Sequence, residues 1–196
     1  MSIPKEPDKA KLVISLFMNS KDIFDSVLPE LENHFGQIDM ASSWFDFDFT
    51  DYYYPEMGSP LFRKVLAFKE LVHQSDLAEI KEWTNLLEKR WANHEVTDQA
   101  AFEKKDVKMA LKRSLNIDPG YLLLSRFILA TGKDYAHRIY IGRGIYADLT
   151  LMYKKGGFKS LEWTYPDYAS EKMCNFLERV RAKYSDDLKL KREGYK

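Results

Sequence analysis

The spacing of apolar and polar positions changes several times along the chain, and each change predicts an element. Lys11 to Met18, KLVISLFM, is apolar on both faces and short, as a central buried strand is. Phe24, Val27, Leu28, Leu31 and Phe35 then recur at helical spacing, with Ser20 as cap, Gly36 as terminator and Pro29 marking a kink or a late start. Ile38 to Thr50 reads as the second strand, because Phe45, Phe47 and Phe49 alternate with Trp44, Asp46, Asp48 and Thr50. Pro55 and Gly58 place a turn behind it. Phe62 to Val72 is read as a strand, since the next helix has its own start at Ser75–Asp76 and its own stripe of Leu77, Ile80, Thr84, Leu87 and Trp91.

Residues 94–114 change texture and predict a charged surface excursion, partly helical. Its Lys104, Lys105, Lys108, Lys112 and Arg113 suit a solvated face or a binding arm. Pro119–Gly120 has the chemistry of a type II turn, and Leu122 to Ala130 reads as a short buried helix ended near Gly132. His137–Ile141 and Ile145–Tyr153 flank Gly142–Arg143–Gly144 as a hairpin, with Lys154 to Gly157 as its basic, flexible exit. SLEWTYPDY is expected to lie across the sheet. Ser170 caps a last helix whose stripe is Met173, Phe176, Leu177, Val180 and Tyr184.

Strand, helix, strand, strand, helix, strand is the order of a ferredoxin-like, split βαβ sheet. The expectation is therefore one α+β domain over 1–196, with an appended β-hairpin and C-terminal helix. The 196 residues are 45% hydrophobic, enough for a core, and carry 30 basic and 30 acidic side chains, so the whole-chain field gives no push toward duplex nucleic acid. The single cysteine, Cys174, excludes a disulfide within the chain and a four-cysteine zinc site. MSIPKEPDKAK lacks the apolar core of a signal peptide, and no apolar run reaches membrane-span length, so a cytoplasmic, non-membrane protein is expected.

FDFTDYYYPEMG, NIDPGY, KDYAHRIYIGRGIYADLTLMYKKGGF and WTYPDY, in that order, resemble an uncharacterised bacterial family, domain of unknown function 4416. The likeness runs from Lys11 to about Tyr184. It implies a stand-alone cytoplasmic protein with no assigned reaction. A GTP-binding label attached to some members finds no support in the residues. There is no G-x-x-x-x-G-K-[ST] loop, and in Thr131–Gly132–Lys133–Asp134 the lysine and aspartate are adjacent where N-K-x-D separates them.

Three constellations could carry chemistry. Asp46, Asp48 and Asp51, with Glu56 nearby, could act as acid and base, and Asp46 and Asp48, roughly 7 Å apart on one strand face, could hold Mg²⁺. The other reading is an edge strand kept soluble by charge. Lys133, Asp134, His137 and Arg138 could join a proton carrier, oriented by Asp134, to an anion clamp; a histidine at a strand entry also serves as a structural donor. Lys154, Lys155, Gly156, Gly157 and Lys159 suit an anion or a plain hairpin exit. Tyr52, Tyr53, Tyr121, Tyr165 and Tyr168 could stack on a base or sugar, and Asp118 beside the expected turn completes the ligand-binding set. Two functions are open: binding or processing of a phosphorylated small molecule or nucleotide in a mixed acidic and basic cleft, or docking of a protein partner, another copy of the chain or, less favoured, RNA through the sheet.

Overall fold

The strand β1 (Ala10–Met18) is buried along its whole length because other strands flank both its edges and packed layers cover both its faces. The computed structural model describes residues 3–94 and 113–193. On one edge β1 pairs antiparallel with β4 (Phe62–Val72), and on the other with β5 (Leu115–Leu123). The sheet continues outward through β2 (Ile38–Ala41) on the first side. On the second it continues through β6 (Arg126–Thr131), β8 (Ile145–Lys154) and β7 (Arg138–Gly142), in the order β2-β4-β1-β5-β6-β8-β7. Two short strands complete the nine found among the described residues: β3 (Phe45–Asp46) on β4 and β9 (Gly157–Ser160) on β8. Every pairing is antiparallel.

Period two then divides the core. Leu12, Ile14, Leu16 and Met18 share a cluster with Val27 and Leu31 of α1 (Asp22–Phe35) and with Ile80 and Leu87 of α3 (Leu77–His94). Val13 belongs to a second cluster with Met173, Phe176, Leu177, Val180 and Tyr184 of α4 (Glu171–Glu193), the stripe expected from the sequence. Phe17 packs in a third with Phe47, Met57 and Leu61, beneath the segment that carries α2 (Tyr54–Met57). The hairpin at Gly142–Gly144 is as expected, its three residues all at positive φ.

Four expectations are corrected. The strand over Ile38–Thr50 is two short pieces, β2 and β3, and Phe49 is 45% exposed. The segment Leu122–Ala130 is not a helix; it is the end of β5, a turn and β6. The Lys154–Gly157 exit is a tight turn into β9, with Lys155 and Gly156 both in the left-handed region that two-residue hairpins use. Pro119–Gly120 is not a turn but the middle of β5, paired with Ile14 and Val13. The 95–112 part of the charged excursion lies outside the described residues.

Helix α3 explains how a proline sits there. Ile117 N donates to Glu88 Oε1 at 2.7 Å, and the Ile117 carbonyl accepts Lys81 Nζ at 2.7 Å. Two α3 side chains thus satisfy the edge of β5 that β6 leaves free, since β6 pairs only from Gly120 onward. Pro119, two residues on, turns its nitrogen to that same side, so its missing N–H is not subtracted from the β1 ladder. Burial pushes the Glu88 carboxyl upward, while Lys81, the Ile117 amide and Arg113 pull it back. Glu88→Gln keeps an acceptor for Ile117 and loses the charge. It is expected to lower stability by about 1–2 kcal/mol in urea unfolding.

Candidate functional site

Arg63 on β4 is the centre of the site. Its register neighbours are Phe17 on β1 and Phe45 on β3, so all three project from the face that α4 covers. The side chain is 3% exposed. Its guanidinium lies 4.5 Å from the Phe47 ring centroid, 4.9 Å from Tyr168 and 5.6 Å from Phe17, and it pairs with Asp167. Phe17 and Phe47 stack at 4.6 Å, and Tyr53 meets Phe17 edge-on at 4.7 Å. Beside this stack opens a pocket of about 330 Å³, lined by Phe45 to Phe49, Arg63, Asp167 and Ser170 to Lys172 at the start of α4.

Buried polar atoms are normally hydrogen-bonded. Among the described residues, the buried side-chain atoms without a hydrogen-bond partner are Ser15 Oγ, Arg63 Nε, Arg113 Nε, Ser114 Oγ and Tyr168 Oη, while Arg63 Nη1 meets the Asp167 carboxylate as an ion pair without hydrogen-bond alignment. Arg63 adjoins Phe17 and Tyr168, Ser15 adjoins Tyr168, Arg113 lies 5.8 Å from the Tyr53 ring, and each of these atoms can donate. Ser15 and Tyr168 lie side by side without closing a hydrogen bond. Burial raises the Tyr168 phenol far above its ordinary value and so keeps it a neutral donor. Tyr53 is pushed up to about 12, by burial first and by Asp118 next, against the pull of Arg113.

The sequence-derived candidates fall into separate groups. Asp46 and Asp48 line the pocket and are exposed, as is Asp51 just beyond. Among the described residues no three His, Cys, Asp or Glu side chains gather as a metal site would require, so Asp46 and Asp48 gain no third ligand. Tyr53 and Asp118 border the stack; Asp118 accepts from Asn116 at 2.8 Å and faces Lys81 at 3.7 Å. Arg113, from the charged excursion, pairs with Glu56 at 3.2 Å and Glu88 at 3.4 Å. Lys133 reaches the Tyr52 ring at 5.0 Å.

His137 and Arg138 form a neighbouring cluster whose carboxylate is Asp148, not Asp134. Asp148 Oδ2 lies 3.2 Å from His137 Nε2 and accepts from Arg138 Nε at 2.9 Å, while Trp163 stacks on the imidazole at 4.7 Å. Arg138 also donates to the Lys133 carbonyl at 2.9 Å and to Tyr165 Oη at 3.4 Å. Asp134 is exposed and sits by Tyr146. Tyr121 pairs with Leu12 and Asp118 with Ser15, so the two project to opposite faces of β5. Lys155, Gly156 and Gly157 lie at the far end of β8. From Asp148 to Lys154 is six strand steps, roughly 20 Å, and there Glu178 already accepts the Phe158 amide at 3.3 Å.

Sequence reading missed Arg63, Asp167 and Asp148. A partial signal for Arg63 was present: it is in step with Val65, Ala67 and Leu71, although Lys69, which is exposed, shares that period.

The architecture defines an α+β protein, a large antiparallel sheet with helices on both faces and a polar pocket under the start of its last helix. A family model described as Domain of unknown function (DUF4416) matches residues 8–184, and the chain belongs to that family. No curated protein and no solved structure matches it. Among the described residues no helix is long and apolar enough to cross a membrane.

Proposed function

We propose that the protein binds a small anionic organic molecule, a phosphorylated metabolite or nucleotide, in the pocket beside Phe47, with its anionic group on Arg63. The observation that carries this reading is a guanidinium buried to 3% exposure at the wall of a cavity of about 330 Å³, its Nη1 paired with Asp167 and its Nε without an acceptor. A buried guanidinium N–H left without an acceptor is costly even beside one carboxylate, and a bound carboxylate or phosphate oxygen would remove that cost. The exposed Phe49 ring and the buried Phe45 and Phe47 supply apolar area for the rest of the molecule. The order β2-β4-β1-β5 with α1 and α3 on one face supports the finer reading of a ferredoxin-like half extended by the β6-β8-β7 half. A bacterial, cytoplasmic setting completes the proposal, on the family resemblance and the single unpaired cysteine.

Isothermal titration with inorganic phosphate, nucleoside monophosphates and benzoate, with and without Mg²⁺, tests it. Binding of at least one anion is expected, weakened about tenfold or more by Arg63→Lys, which keeps the charge and loses the planar fork. Absent heats across the set would remove the reading. Edge strand β7 exposes Ile139 and Tyr140 and keeps docking of a protein partner as the second reading.

A further inference from the structure

We infer that the ligand of this pocket carries an organic cation as well as its anionic group, the two separated by an apolar body. The inference rests on the anion-binding reading of Arg63 and narrows it. Four carboxylates line the pocket, those of Asp46, Asp48, Asp167 and Glu171, against two cations, Arg63 and Lys172. Asp167 is paired with Arg63. No ion pair within 4.0 Å involves Asp46, Asp48 or Glu171 among the described residues.

Burial then sets the polarity of the pocket. Arg63, more than nine-tenths buried and with Nε unpartnered, is the inner pole and takes the anion. Asp46, Asp48 and Glu171 are exposed and form an outer pole of opposite sign. A phosphate dianion alone would meet net negative charge on the way in, which works against it. Among the described residues no three carboxylates gather as a closed metal site, so Mg²⁺ would need the ligand's own phosphate to complete its sphere. An ammonium or guanidinium group tolerates such spacing, since it needs charge nearby rather than a closed coordination sphere. Between the poles, the phenylalanines at 45, 47 and 49 suit a flat or aliphatic body, and a cation passing over their rings gains further attraction. The volume lies at the small end of ligand pockets, so the molecule has the size of an amino acid or a phosphorylated amine rather than a dinucleotide.

Three related probes on one ring separate the poles: 4-(aminomethyl)benzoate, 4-methylbenzoate and 4-methylbenzylamine, titrated into the full chain and followed by amide chemical shifts. O-phosphoethanolamine and ethyl phosphate repeat the comparison with phosphate as the anion. In each set the zwitterion is expected to bind about tenfold tighter than the analogue lacking nitrogen, an increment of about 1.4 kcal/mol. The double variant Asp46→Asn/Asp48→Asn, at exposed positions, should erase most of that ratio, by weakening the zwitterion and, with the repulsion at the mouth reduced, by slightly tightening 4-methylbenzoate. Equal affinity for 4-(aminomethyl)benzoate and 4-methylbenzoate overturns this inference and leaves the anion reading standing. Binding of 4-methylbenzylamine alone, or of no probe, overturns both. The phosphate and carboxylate arms, compared with each other, say which anion Arg63 prefers.

Discussion

Gly120→Ala is expected to destabilise the protein by about 3 kcal/mol, read as a lower urea midpoint with an unchanged slope. Gly120 has no positive φ, so the glycine is not there for a turn. It is there because β5 and β6 approach each other closely. A Cβ at this position would overlap the Ile128 carbonyl oxygen, with Leu129 Cδ2 at 3.0 Å and the Phe127 ring at 3.1 Å. The two side chains could shift; the carbonyl oxygen belongs to the first residues of the β5–β6 ladder and could not move without opening it. Shortening Phe127 or Leu129 should therefore fail to rescue the variant. Gly132→Ala is the control. Its Cβ meets nothing within 4 Å, and it should be neutral or stabilising by a few tenths of a kcal/mol. Residual folded Gly120→Ala should also show disturbed His137 and Trp163 signals, because β6 carries β8, and with it Asp148, onto the rest of the sheet.

The glycine also shows where the sequence was readable. Periodicity located β1, α1, α3 and α4, because each buries one regular stripe or is buried throughout, and the glycines of the Gly142–Arg143–Gly144 turn located the 138–154 hairpin, whose strand β7 buries no stripe. Pro119–Gly120 misled because turn chemistry is local, whereas Glu88 and Lys81, 29 and 36 residues before Ile117, are what allow a proline in that strand. Leu122 to Ala130 misled because a short apolar run buried on both faces has no period to distinguish strand from helix. The Phe45, Phe47, Phe49 alternation was real but ended early. Phe45 and Phe47 are held by the Arg63 and Phe17 side chains, with only two residues in a ladder, and Phe49 extends beyond that support. For the site, polarity within patterned runs singled out Asp46, Asp48, His137 and Arg138. It could not supply their partners, since Asp148 and Asp167 are brought in by register and by the segment after β9, neither of which is written locally.

Lys11→Met should cost a comparable amount, about 3 kcal/mol, without touching the pocket. Lys11 is fully buried, and its Nζ lies 2.5 Å from Asp39 Oδ2 and 2.8 Å from Asp187 Oδ2, which ties β1 to the end of β2 and to the far half of α4. Methionine keeps most of the aliphatic stem, so the loss measures the charge: two carboxylates are left with Lys183 alone. Adding Asp39→Asn and Asp187→Asn should recover much of it, because the stranded charges go too. The pH dependence has a definite sign. Burial by itself would raise the Asp187 carboxyl, but hydrogen bonds from Lys11 and Lys183 outweigh it and hold the group below its ordinary value of 3.8. A carboxyl lowered in the folded state contributes stability that is present above the unfolded value and lost as pH falls through the folded one. The native protein should therefore lose stability between about pH 5 and pH 2 more steeply than Lys11→Met, in which one cause of the lowering is gone. At the alkaline end the Lys183 ammonium is raised, first by its hydrogen bond to Asp187, so its contribution is present below 10.5 and fades as pH rises through the raised value. From Glu171 to Asp187 the helix advances sixteen residues, roughly 24 Å. Anion affinity at Arg63 should thus survive Lys11→Met wherever the variant is folded. If both fell together, α4 would act as one rigid lever between the tie and the pocket, and the site could not be treated as a local property of Arg63 and Asp167.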